Sequence, residues 1–130
     1  MAIVTPLLLV DDDNTVRQVL ARMLEPLKLR VIEAANGVTG LALFREHKPR
    51  LVITDIVMPE MDGIELLREI RSIDPEAKVI AISGGGGSKY SDPFALAREL
   101  GAAATLSKPV SVQQLRATVA GLLPAPEMVR

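Results

Sequence analysis

Short apolar runs alternate with longer stretches of helical period along this chain, and the alternation predicts most of the fold. Leu7-Leu8-Leu9-Val10, Leu29 to Ala34, Leu51-Val52-Ile53-Thr54, Lys78 to Ser83 and Ala103 to Leu106 read as buried strands. The segment from Asn14 places Val16, Val19, Leu20, Met23, Leu24 and Leu27 on a helical stripe, with Asn14 or Asp13 as its cap. Asn36-Gly37 turns the chain into a helix carrying Leu41, Leu43 and Phe44. Met58-Pro59-Glu60-Met61-Asp62-Gly63 is a turn whose proline fixes φ and whose glycine permits positive φ, before a helix bearing Ile64, Leu67 and Ile70. Pro93 to Leu100 and Val112 to Leu123 supply two further helices. Strands alternating with helices predict an α/β fold, a parallel sheet with helices on both faces. With no internal repeat or linker, and Gly84 to Gly87 the one low-complexity patch, the expectation is a single domain over 1–130. Its core covers about 7–123, a short tail covers 124–130, and no output domain is encoded.

Polar residues stand where these strands end. Asp11, Asp12 and Asp13 follow the first strand, Asp55 the third, Ser83 closes the fourth and Lys108 follows the fifth. In an open parallel sheet these carboxyl ends share one edge, where ligands bind. Three carboxylates about 4 Å apart would repel by roughly 4 kcal/mol per pair at an effective dielectric near 20. Oxygen ligands without His or Cys point to Mg²⁺ as the compensating charge. A carboxylate so placed can act as a nucleophile toward phosphorus, with Lys108 and the Ser83 hydroxyl donating to the phosphoryl oxygens.

Composition narrows the classes. The 130 residues are 48% hydrophobic with a net charge of −1, as for one globular domain. Bases scattered singly among acids and only 2% aromatic residues argue against direct nucleic-acid binding. There is no cysteine, so no disulfide framework or thiolate metal site. The start, Met-Ala-Ile-Val-Thr-Pro, lacks the features of a secretory signal, and the apolar runs are too short to span a bilayer. A cytoplasmic protein without membrane association is expected.

Val10-Asp11-Asp12, Thr54-Asp55, Met58-Pro59-Glu60-Met61-Asp62-Gly63, Ile82-Ser83 and Ser107-Lys108-Pro109 together resemble the receiver domain of two-component response regulators, over about Leu7 to Leu123. The resemblance implies a flavodoxin-like, doubly wound five-stranded sheet of order 2-1-3-4-5 with five helices. It implies that Asp55 accepts the phosphoryl group, that Asp12 binds Mg²⁺ directly, Asp11 through water and Val57 through its backbone carbonyl, with Asp55 also at the metal. Ser83 and Lys108 would bind the phosphoryl group, and the Lys108-Pro109 bond would be cis. The donor would be a histidine kinase or a histidine phosphotransfer protein. The output would be binding to a downstream protein, with the fourth helix, fifth strand and fifth helix as a candidate homodimer face.

The chain departs from the family at two places. Thr105 occupies a position where receivers usually carry Tyr or Phe. Gly84 to Gly87 adds backbone freedom after Ser83, and the separation from Ser83 to Lys108 is a few residues longer than in the chemotaxis type. One hypothesis is that this loop replaces the aromatic switch, with Tyr90 or Phe94 changing exposure; the alternative is Phe94 in the core beneath a glycine lid. The run fails the G-x-x-x-x-G-K-[ST] pattern, which sets a nucleotide loop aside. Met58 and Met61 read as packing residues, and His47 is given no role.

Two other classes of function remain. Asp11-Asp12-Asp13-Asn14-Thr15 matches the D-x-D-x-T pattern of haloacid-dehalogenase-like phosphatases, with Asp11 as nucleophile. Such enzymes need a further acidic metal ligand after the lysine, and only Glu127 follows Lys108. The other class is a phosphorylation-independent interaction module.

Overall fold

The computed structural model describes residues 6–84 and 86–123. The tail 124–130, with Glu127, and Gly85 of the glycine run lie outside them. Five strands alternate with five helices: β1 (Pro6–Val10), α1 (Asn14–Leu24), β2 (Arg30–Ala34), α2 (Gly37–His47), β3 (Leu51–Asp55), α3 (Gly63–Ile73), β4 (Lys78–Ser83), α4 (Pro93–Glu99), β5 (Ala104–Ser107) and α5 (Val112–Leu122). All strand pairs are parallel and the order is β2-β1-β3-β4-β5, the flavodoxin-like arrangement with its reversal between β1 and β3.

Alternate strand residues supply two separate cores, which is why the central strands read as unbroken apolar runs. Leu8, Val10, Val52, Val79 and Ala81 pack with Phe44 of α2, with Ile64, Leu66, Leu67 and Ile70 of α3, and with Ala97 of α4. Leu7, Leu9, Leu51, Ile53, Ile80, Ile82 and Leu106 pack with Leu20 and Leu24 of α1 and with Leu115 and Val119 of α5. Met58 joins the first core and Met61 packs against it, as expected of packing residues.

Local chemistry sets the helix ends. Asp13, not Asn14, caps α1: its carboxylate accepts from the amides of Thr15 and Val16. Asn14 becomes the first helical residue. Val19 departs from the expected buried stripe, being 46% exposed. At about 100° per residue it lies roughly 80° from the centre of the stripe formed by Val16, Leu20, Met23 and Leu24, at the edge of the buried face. Replacing Asp13 by alanine is expected to cost about 1 kcal/mol, read as a lower urea midpoint at an unchanged m-value. A wild-type midpoint would show that the cap contributes nothing.

The β3–α3 turn uses its special residues differently from the sequence expectation. Positive φ falls on Glu60, at 64°, and not on Gly63. Gly63 is required by close approach: a Cβ there would collide with the Asp55 carbonyl oxygen and lie 2.8 Å from the Ile56 Cα. Asp62 then opens α3 with a reciprocal capping box to Glu65, which anchors the turn next to the end of β3.

Candidate functional site

Ladder hydrogen bonds continue past the strand ends and fix the residues that follow. The Asp11 amide donates to the Ala34 carbonyl, the Ile56 amide to Ile82 and the Lys108 amide to Ser83, at 2.9–3.1 Å. Asp11, Asp55, Ser83 and Lys108 are thereby held on rigid sheet and not on free loops. Each of Asp11, Asp12 and Asp55 offers a carboxylate oxygen, and the three oxygens lie within 4.8 Å of one another. Asp11 is 1% exposed and Asp55 6% exposed, whereas Asp12 faces solvent.

Lys108 closes the edge of this cluster. Its Nζ donates to Asp55 Oδ2 at 3.0 Å and lies 3.4 Å from Asp11 Oδ2. The Lys108-Pro109 bond is cis, as the resemblance implies. Burial pushes the Asp55 carboxyl above its ordinary range; the hydrogen bond and charge of Lys108 oppose this without cancelling it, and Asp11 and Asp12 add to the rise. Burial works against the Lys108 charge, yet the hydrogen bond and charge of Asp55, with Asp11, hold its ammonium above the usual value.

Ser83 is buried and pairs in register with Ser107, beside the strand that ends at Asp55. Among the described residues no buried side-chain polar atom lacks a partner, so the site is preorganised. Val57 is half-buried two residues after Asp55. With Ile56 and Met58 it borders a cavity of about 160 Å³ reaching Glu60, Asp62, Glu65 and the segment Gly87 to Tyr90.

The donor set fits a hard divalent cation. Three carboxylates cluster beside one ammonium that pairs with two of them, Asp11 and Asp55; all candidate ligands are oxygen, and Asp12 stands at the open side where waters would complete a shell. Asp13 directs its own amide to Asp11 Oδ1 at 2.9 Å, which keeps that carboxylate turned inward.

The segment after Ser83 is tied to the α3 N-terminus by contacts that sequence reasoning missed. The Tyr90 hydroxyl donates to Asp62 Oδ2 at 3.0 Å, and Lys89 lies 3.6 Å from both Asp62 and Glu65. Burial, then the Asp62 carboxylate, raise the Tyr90 phenol. Phe94 packs against the core from α4, and Gly87 has φ 76°, so one glycine of the run is conformationally required. Thr105 Oγ1 accepts from Arg98 at 3.2 Å. His47 pairs with its neighbour Glu46 at the C-terminal end of α2 and is given no role in the site. Arg17, which reads in the sequence as one of many scattered bases, proves to contact the backbone of Asp11.

Among the described residues no helix is long and apolar enough to cross a membrane. Residues 7–120 match the family described as response regulator receiver domain. The chain is 42% identical over 121 residues to sensor kinase CckA of Brucella abortus, covering 89% of this chain but only 12% of that protein. It is 32% identical to sporulation initiation phosphotransferase F of Bacillus subtilis, over 91% of this chain and 93% of that one. A crystal structure of a response regulator receiver domain protein from Clostridium thermocellum superposes with a TM-score of 0.84 at 34% identity, covering 92% and 94% of the two chains. With an acidic trio and a lysine converging at the strand ends of the matching sheet, the chain belongs to the response regulator receiver domain family of two-component signalling.

Proposed function

We propose that this chain accepts a phosphoryl group on Asp55 from the phosphohistidine of a histidine kinase or a histidine phosphotransfer protein, and signals by changing its protein contacts. The observation that carries the reading is the single cluster in which Asp55 sits between two acids and the Lys108 ammonium. In the transfer, an Asp55 carboxylate oxygen forms a bond to phosphorus as the P–N bond to the donor imidazole breaks. Mg²⁺ held by Asp11, Asp12, Asp55 and the Val57 carbonyl would supply charge neutralisation between the carboxylates and the phosphoryl oxygens.

Lys108, already bonded to Asp55 Oδ2, is placed to follow the developing charge onto a phosphoryl oxygen. The Ser83 hydroxyl, at the end of the adjacent strand, donates to another. Rigid placement of these groups is the main catalytic contribution the protein makes, so the domain assists a transfer whose energy comes from the donor. Names of relatives such as a sensor kinase and a sporulation phosphotransferase support a kinase or relay donor.

The modified aspartate carries nearly two charges and strong acceptors, enough to bias a two-state surface. The α4-β5-α5 face is the candidate surface for a downstream protein or a second copy. We place the domain in the cytoplasm, without direct contact with nucleic acid. An Asp11 nucleophile, as in the phosphatase alternative, is disfavoured because Asp11 is more deeply buried than Asp55 and its Oδ1 already accepts from the Asp13 amide.

Intact mass after incubation with acetyl phosphate tests the proposal. A phosphoryl adduct is expected with Mg²⁺, lost on chelation and lost in Asp55→Asn. An adduct that persists in Asp55→Asn but disappears in Asp11→Asn would move the chemistry to the phosphatase reading. No wild-type adduct from either acetyl phosphate or a phosphohistidine donor would leave the interaction module.

A further inference from the structure

Three N–H groups of one guanidinium meet three different segments beside the acidic pair. Arg17, one turn into α1, donates from Nη1 to the Asp11 carbonyl at 2.7 Å, from Nη2 to Asn14 Oδ1 at 2.7 Å and from Nε to Glu33 Oε1 at 3.0 Å. Its side chain is only 14% exposed. The first of these oxygens belongs to the peptide joining Asp11 to Asp12. We infer that Arg17 is a positioning residue for divalent-cation binding, clamping that peptide so that the exposed Asp12 carboxylate is presented beside Asp11 and Asp55. The inference rests on the metal reading under Proposed function.

Asp11 is secured independently. Its amide is bound to the Ala34 carbonyl, its Oδ1 accepts from Asp13, and its Oδ2 faces Lys108. Asp12 is different, being exposed and lying within 4.8 Å of two like charges that drive it outward. The peptide planes flanking Asp12 therefore govern where its side chain projects, and Arg17 holds the first of them. Glu33 neutralises the guanidinium, so the brace adds geometry to the site with little net positive charge to repel a cation.

The clamp needs arginine. A planar fork places several donors in fixed directions, whereas a lysine offers one point charge at the end of a flexible stem and cannot hold the Asp11 carbonyl, Asn14 and Glu33 together. Charge alone would be restored by lysine; the fork would not.

Calorimetric titration of Mg²⁺ alone into wild type, Arg17→Lys, Arg17→Ala and Glu33→Gln tests this. Arg17→Lys and Arg17→Ala are expected to weaken binding about 10-fold or more, as for other groups that orient a ligand. Glu33→Gln keeps the bond to the Asp11 carbonyl but uncovers the guanidinium charge, so it should weaken binding by less than either Arg17 variant. The Mg²⁺ midpoint of adduct formation from acetyl phosphate should move by the same factor, and the rate at saturating metal should fall by less. Wild-type affinity in Arg17→Lys overturns the inference, as does a rate that drops equally at every Mg²⁺ concentration with an unmoved midpoint. If Arg17→Ala does not fold, Arg17→Lys, which keeps most of the aliphatic stem, decides the matter. A wild-type protein that binds no Mg²⁺ would instead overturn the metal reading beneath it.

Discussion

Gly63→Ala is expected to destabilise the domain by about 3 kcal/mol, the upper end of ordinary overpacking costs, and to lower Tm by roughly 10 °C. The added methyl would collide with the Asp55 carbonyl oxygen and approach the Ile56 Cα to 2.8 Å and the Asp55 carbonyl carbon to 3.0 Å. All three are backbone atoms, so no side-chain rotation relieves the clash. The Gly63 amide also donates to the Ile56 carbonyl at 2.8 Å, which clamps the first turn of α3 onto the end of β3. Relief must come from moving that junction, and Asp55 moves with it. Adduct formation should therefore slow even at temperatures where the variant is folded. Gly121→Ala is the control: a Cβ there meets nothing within 4 Å, and alanine near the end of α5 should be neutral or slightly stabilising. Thermal melts in which the two variants behave alike would sink the close-approach account.

Periodicity sufficed for the sheet because both of its faces are buried. Leu7 to Val10 and Leu51 to Thr54 had to be central strands, since their successive residues feed two different cores. The acidic trio and Lys108 were legible for a related reason: strand ends in a parallel sheet share an edge, so order along the chain becomes proximity in space. Contacts between loops carried no such signal. Gly63 was legible as a glycine but not as a point of contact with Asp55, because that contact depends on how α3 docks. Gly37 follows the same pattern, for a Cβ there would meet the Met61 backbone, one loop away. Arg17 carried no local mark of its partners, since its fork bridges α1, the β1 end and β2, and only the assembled sheet brings these together. The bond from Tyr90 to Asp62 likewise joins two loops across the sheet edge.

In metal-free buffer at pH 7, Asp55→Asn should be more stable than wild type by about 1 kcal/mol, a Tm gain of a few degrees. The sign follows from the carboxyl itself. Burial, aided by Asp11 and Asp12 and only partly offset by Lys108, raises the folded-state value above that of the unfolded chain. Between those two values the folded protein binds more protons than the unfolded one, so the Asp55 contribution is fully favourable below the unfolded value, near pH 3.8, and is lost as pH rises through the folded one. At neutral pH the ionised side chain is a net cost, which an amide of the same shape removes while Lys108 keeps Asp11 as its neighbour. The advantage of the variant should shrink as pH falls toward 4 and vanish below it. Saturating Mg²⁺ should reverse the order, because a ligand that binds only the folded state stabilises wild type in proportion to its affinity, and the variant has lost one of the three carboxylates. Paired melts across pH, with chelator and with Mg²⁺, check both halves. A variant less stable than wild type at pH 7 in chelator would mean that the bond to Lys108 outweighs burial, and that the resting site is held together by its charges instead of being strained by them.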